Sequence, residues 1–187
     1  NKITDEVVSV LASAALQKLS QLISLSLDFR LSQFITNQGV SLLASEGLKY
    51  LKQLILLSLC FVGCDQITDD GIQSLTFQGL KDLTQLKCLN LEFSSEDISD
   101  EGIHSLAFDG LRNLRQLQHL ALEFSSKKIT DKGLHSLASY GLQSLSQLEF
   151  LALRLLAIRS EWYKERTNKA MKDLPSRRLK HLLKPIA

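Results

Sequence analysis

The sequence predicts a curved, right-handed α/β solenoid, with parallel strands on its concave face and helices on its convex face. Two observations predict it. One phrase returns five times at nearly constant spacing, and inside each copy the apolar period switches from two to about 3.6. A unit of about 31 residues with one strand, one loop and one helix cannot bury its apolar face alone, whereas stacked copies can. Helices are wider than the strand spacing of about 4.8 Å, so such a stack bends with the strands inside.

The repeated phrase begins at Leu19, Leu51, Leu83, Leu114 and Leu145, at spacings of 32, 32, 31 and 31 residues. Its second half alternates: Leu25, Leu27 and Phe29, then Leu57, Leu59 and Phe61, Leu89, Leu91 and Phe93, and Leu120, Leu122 and Phe124. Period two marks a short strand with one face turned inward. The four phenylalanines are expected to form a ladder inside the core. A loop follows each strand, at 31–34, 62–66, 94–97 and 125–128.

A second phrase keeps the same register: Ile3-Thr4-Asp5, Ile35-Thr36-Asn37, Ile67-Thr68-Asp69, Ile98-Ser99-Asp100 and Ile129-Thr130-Asp131. Thr or Ser there offers an oxygen to the orphan N–H groups at a helix start, and Asp suits the helix dipole. Val40, Leu43, Gly47 and Leu51 then follow at helical spacing, as do Ile103, Leu106, Gly110 and Leu114, giving helices of about three to four turns. The recurring Gly47, Gly79, Gly110 and Gly141 fit either a C-cap or a close approach of neighbouring helices. The Leu pattern runs past them, which favours close approach.

These units resemble leucine-rich repeats. Leu22, Leu25 and Leu27 match the L-x-x-L-x-L pattern, as do Leu54, Leu57 and Leu59 and the later copies. The I-T-D-x-G phrase resembles the ribonuclease-inhibitor-like and cysteine-containing subclasses. The likeness spans residues 3–153 and implies a leucine-rich-repeat solenoid whose concave face binds proteins. One departure stands out. The buried Asn or Cys usual three residues after the last strand leucine is missing, and Arg30, Val62, Ser94 and Ser125 stand there.

Composition narrows the function. The chain has 187 residues, 44% hydrophobic and 22% charged, too apolar for a disordered chain. No apolar run approaches the roughly 20 residues of a membrane span. Three cysteines do not build a disulfide framework and suit a reducing compartment, so the expected location is cytoplasmic, with nuclear or cytoskeleton-associated alternatives. Charge divides the chain. Residues 1–153, read as about five repeats, hold 12 Lys/Arg and 17 Asp/Glu, a net −5. Residues 154–187, read as a basic and mainly helical cap and tail, hold 10 and 3, a net +7.

The candidate site is the set of strand residues pointing away from the core. They fall in columns: Ser26, Ser58, Asn90, Ala121, Ala152; Asp28, Cys60, Glu92, Glu123, Arg154; Ser24, Leu56, Cys88, His119, Phe150; and Ile23, Ile55, Lys87, Gln118, Glu149. Asp28, Leu56, Cys60, Asn90, Glu92, His119, Glu123 and Phe150 are the expected partner contacts. The acidic stripe of Asp28, Glu92 and Glu123 would favour a basic partner. No phosphate-binding, dinucleotide, nucleophile-elbow or zinc-protease motif occurs. Cys60, Cys64 and Cys88 are spread too far for a zinc cluster. His104 and His135 recur at equivalent helix positions without a carboxylate or cysteine, as surface polar residues. No catalytic residue, metal or cofactor is expected.

The ends differ from the middle. Val7 and Ala15 stand where later units have glycine, and no polar cap precedes them, so more chain before Asn1 or a partner is expected to cover that side. At the other end, a helix stopping before Pro175 is expected to cover the last repeat with Trp162. Ser176 then caps a second helix with Leu179, Leu182, Leu183 and Ile186 on one face. Its Arg177, Arg178, Lys180 and Lys184 are candidate contacts to an acidic partner. The expectation is a non-enzymatic interaction module within a multi-subunit intracellular assembly, with no small-molecule substrate; charge in one tail alone does not make a nucleic-acid binder. The alternatives are the substrate-recognition part of a ubiquitin ligase and, from the enzyme-linked class, a GTPase-activating repeat protein.

Overall fold

The computed structural model describes residues 3–155. Five strands, β1 (Ser24–Asp28), β2 (Leu56–Phe61), β3 (Cys88–Ser94), β4 (His119–Ser125) and β5 (Phe150–Leu155), form one sheet in sequence order. All neighbours pair in parallel. Each strand is reached through a helix: α1 (Asp5–Val10), α2 (Asn37–Leu42), α3 (Asp69–Ser74), α4 (Asp100–Ser105) and α5 (Asp131–Ser136). The chain is thus an α/β solenoid of the leucine-rich-repeat type. Every α-helical stretch continues into a π-helical turn, such as Leu43–Gly47 after α2, which widens the last part of the segment.

Register explains the core. Leu57, Leu89 and Leu120 align in one column and Leu59, Leu91 and Leu122 in another, all buried. Phe29, Phe61, Phe93 and Phe124 stack with ring centroids 5.2, 5.1 and 5.7 Å apart and interplanar angles of 22° or less. This is the expected ladder. Each ring covers the next, so every internal rung is desolvated on both faces.

The glycine before each strand-leading turn marks helix contact, as expected. A Cβ built on Gly47 would lie 3.1 Å from Leu16 Cδ1 and 3.3 Å from Ala12 Cβ of the preceding unit. Ala15 escapes this requirement because no helix precedes α1 among the described residues.

The Asp of the second phrase acts differently from its expected dipole role. Thr36, Thr68, Ser99 and Thr130 do cap their helices, each accepting from an N–H two residues on. The next residue reaches across to the following unit. Asp69 accepts from Ser99 N at 2.7 Å, Ser99 Oγ at 2.6 Å and Gly102 N at 3.0 Å. Asp100 does the same for Thr130 N, Thr130 Oγ1 and Gly133 N. Asp5 binds Thr36, and Asn37 accepts from Thr68 N while donating to Thr68 Oγ1. A Cβ on Gly102 would lie 2.5 Å from Asp69 Oδ1, which is why glycine follows two residues after each later Asp or Asn. The phrase is a staple between repeats, made of charge-assisted hydrogen bonds.

The buried polar column that the strand spacing failed to show is present, displaced. Counted three residues back from Ile35, Ile67, Ile98 and Ile129, it is Ser32, Cys64, Ser95 and Ser126, all buried. Cys64 Sγ donates to Phe29 O, Ser95 Oγ to Asp65 O and Ser126 Oγ to Ile98 O, each in the preceding unit. The first two loops hold one residue more than the later two. That residue is left-handed, Leu31 at φ 60° and Gly63 at φ 78°, and it accounts for the change of period from 32 to 31.

Candidate binding surface

The open face of the sheet is built by strand residues that alternate with the core leucines. Register places three of the four expected columns in rows; the fourth, Ile23, Ile55, Lys87, Gln118 and Glu149, stands one residue before the first row, at the strand entries. The first joins Ser24, Leu56, Cys88, His119 and Phe150, the second Ser26, Ser58, Asn90, Ala121 and Ala152, the third Asp28, Cys60, Glu92, Glu123 and Arg154. Rows two residues apart along a strand lie about 6.6–6.8 Å apart.

The first row is the apolar one. Phe150 is 48% exposed, and its ring centroid lies 6.1 Å from that of His119. Leu56 and Cys88 are half-buried beside them. Ile23 and Ile55, one residue earlier, are exposed and extend the row toward β1. Backbone bonds from Ile55 N and Leu56 N to Ile23 O hold this part in the same ladder. The middle row is small, so a partner can approach the sheet closely there.

The third row departs from its expected character. Cys60 is only 5% exposed, so it is not the accessible contact that its column suggested. Its thiol donates to Glu92 Oε2 at 3.3 Å. Burial pushes the Cys60 thiol up, with Glu92 adding to the shift while Arg30 opposes it. Burial also raises Cys88. Both therefore stay protonated near neutral pH, the opposite of an activated nucleophile.

The acidic stripe is largely compensated. Arg30 places one guanidinium nitrogen 3.6 Å from Asp28 and 3.8 Å from Glu92, and Arg154 lies 3.2 Å from Glu123. Glu92 also accepts from Asn90 Nδ2, which binds Ser58 in turn. Two arginines against three carboxylates leave a weak residual charge, so the expected attraction for a basic partner loses most of its source. Arg30 lies beyond the strand end and outside the columns. Its signal in sequence was the position itself, next to the strand, where a long side chain can lean back over the row.

Arg177, Arg178, Lys180, Lys184 and Trp162 lie outside the described residues, as does the rest of the tail beyond Leu155. Among the described residues, no group of three or more His, Cys, Asp and Glu could hold a metal ion. No described helix is long and apolar enough to cross a membrane.

No family model matches the sequence, and no curated protein matches it. Among solved structures, the chain is similar to the tropomodulin C-terminal domain from Caenorhabditis elegans. The TM-score is 0.47 at 12% identity, over 91% of this chain and 92% of that one.

Proposed function

We propose that the protein is a non-enzymatic interaction module whose open sheet face binds another protein. The observation that carries this reading is the row of Leu56, Cys88, His119 and Phe150, continued by exposed Ile23 and Ile55. Large apolar groups gathered on a rigid sheet, flanked by a lane of small side chains, make a surface that gains by being covered. The paired third row supports specificity and register more than affinity. A fixed subunit of an intracellular assembly is the setting that best fits a face with no reactive group. The basic segment holding Arg177, Arg178, Lys180 and Lys184 is proposed as a second contact, for an acidic partner.

The test is cross-linking mass spectrometry with the full chain as bait, repeated with Leu56→Asp/Phe150→Asp. The expected result is one stoichiometric neighbour cross-linked through Lys87, and its loss in the double variant. Retention of that neighbour would move the interface off the sheet. A changing set of substoichiometric partners would favour the ubiquitin-ligase reading instead.

A further inference from the structure

The helical side carries an aromatic surface that the sheet face does not explain. Of the eight phenylalanines, four form the buried ladder, and the other four, Phe34, Phe77, Phe108 and Phe150, are all exposed. Phe77 and Phe108 occupy equivalent places, two residues before Gly79 and Gly110, on neighbouring units. They are 56% and 39% exposed, and Tyr140 from the next unit is 44% exposed. Isolated apolar residues on a surface are ordinary, but exposed aromatic side chains that pack on one another across two units, as Phe108 and Tyr140 do, are not.

The group is ordered by its own contacts. Phe108 and Tyr140 meet edge-on with centroids 5.6 Å apart. His104 stacks on Phe108 at 5.8 Å and meets Tyr140 edge-on at 5.5 Å. The Arg112 guanidinium carbon lies 4.7 Å from the Phe108 centroid, and Lys81 Nζ lies 3.7 Å from that of Phe77. His104, Phe108 and Arg112 are spaced by four residues, as are Phe77 and Lys81, so one turn of helix sets each contact.

The two cations are electrostatically unspent. Neither Lys81 nor Arg112 enters an ion pair among the described residues. The nearby carboxylates are otherwise engaged: Asp82 holds Lys52, and Asp109 accepts from Ser105 Oγ. On α4, Asp100 is taken up by Thr130 and Gly133 of the next unit, and Glu101 stands about one turn before His104. A guanidinium lying over a ring keeps N–H donors at its edge, in the fork that suits a carboxylate.

We infer that this surface binds a short acidic segment of another protein that carries an aromatic or large aliphatic anchor. Carboxylates of the segment meet Lys81 and Arg112, and the anchor packs against Phe77, Phe108 and Tyr140. Aromatic residues with arginine at the centre are the composition of binding hot spots. A nucleic acid fits less well. Lys81 lies over one face of the Phe77 ring, and His104 and Arg112 pack on Phe108, so the rings offer edges and part-faces that suit a side-chain anchor better than a stacked base. The net −5 of residues 1–153 opposes every anion, and a long polyanion more than a short segment with a few carboxylates.

The experiment titrates the isotope-labelled full chain with a short synthetic peptide of Asp and Glu around one Phe, following backbone amide shifts. A peptide with Ser in place of that Phe and a short oligothymidylate serve as the other probes. The expected result is shifts at Phe77, Lys81, His104, Phe108, Arg112 and Tyr140. Affinity should fall about tenfold or more both with the Ser peptide and in the Arg112→Glu variant. Shifts confined to the strands, or none at saturating peptide, overturn the inference while leaving the sheet-face reading untouched. Equal response to oligothymidylate identifies a nucleic-acid platform instead. Concentration-dependent shifts at the same residues without peptide identify a second copy of the chain as the occupant.

Discussion

The unit that holds β1 and the unit that holds β3 carry nearly the same phrase and make different structures of it. In the second, Leu89, Leu91 and Phe93 are sealed between neighbours on both sides, and Ser95 donates to the loop before it. In the first, Leu27 is half-buried, Ile23, Leu31 and Phe34 are exposed, and Ser32 is buried with no partner for its hydroxyl among the described residues. What differs is that a strand and loop precede the β3 unit, whereas among the described residues no strand precedes β1. The helical half of the contact is in place, because Asp5 still binds Thr36 and Thr4 bridges Phe34. The lesson is that a repeat's stability belongs to its interfaces as much as to its own residues.

The sharpest way to break this comparison is to remove a rung of the ladder at each place. Phe93→Ala takes away a ring stacked on both sides and should cost about 3–5 kcal/mol. Phe29→Ala, with one stacking neighbour, should cost roughly half as much by the same reckoning. Denaturant unfolding of both variants gives the comparison. Equal losses would mean that nearest-neighbour burial does not govern the stack.

The inter-repeat staple comes next. Asp69→Ala strands Ser99 N and Oγ and Gly102 N, and is expected to cost about 2–3 kcal/mol. Asp69→Asn should cost under about 1 kcal/mol, because Asn37 already does this work for Thr68 with an amide. If the two variants unfold alike, the bonds to the carboxylate are not what holds the units in register.

The polar column gives a smaller and opposite-signed contrast. Ser126→Ala leaves Ile98 O and Lys128 N short of a partner and should cost about 1–2 kcal/mol. Ser32→Ala removes a buried hydroxyl that has no partner among the described residues, so it should be neutral or slightly stabilising. A clear loss at Ser32 would show that its hydroxyl is bound in solution.

Cys64 supplies the least effect and a pH sign. Burial pushes its thiol up to about 11 from 9.0. The folded state therefore holds the proton more tightly than the unfolded chain. The stability this contributes is complete below pH 9 and falls as pH rises toward 11. At pH 9.5 the loss is just under about 1 kcal/mol. Cys64→Ser should remove that slope, and parallel alkaline curves for the two proteins would reject it.

Much of the fold was legible because it is periodic. The five-copy leucine phrase, the phenylalanine ladder, the parallel register and the helix caps all follow from residues repeating at one spacing. The Ser32–Ser126 column was hidden by the direction of counting. From the strand, an extra residue at Leu31 and Gly63 scrambles it; from the following Ile it is regular. The aromatic group of His104, Phe108 and Tyr140 was hidden for another reason. His104 recurs as His135 and Phe108 as Phe77, but Tyr140 has no counterpart in the other units, and it is the residue that joins the group across two units.

The sequence by itself determined the unit, the number of strands and which side chains face inward, since these depend on local periodicity and on solvent exclusion, which act on every copy alike. Tertiary structure alone decided that the Asp of each phrase serves the next repeat, that Cys60 is covered, and that Arg30 and Arg154 neutralise the acidic row. It also decided that no carboxylate among the described residues forms an ion pair with Lys81 or Arg112. The staple, the cover on Cys60 and the Arg154–Glu123 pair depend on distances between residues 30–32 apart in the chain, which spacing ranks as equivalent and only packing resolves.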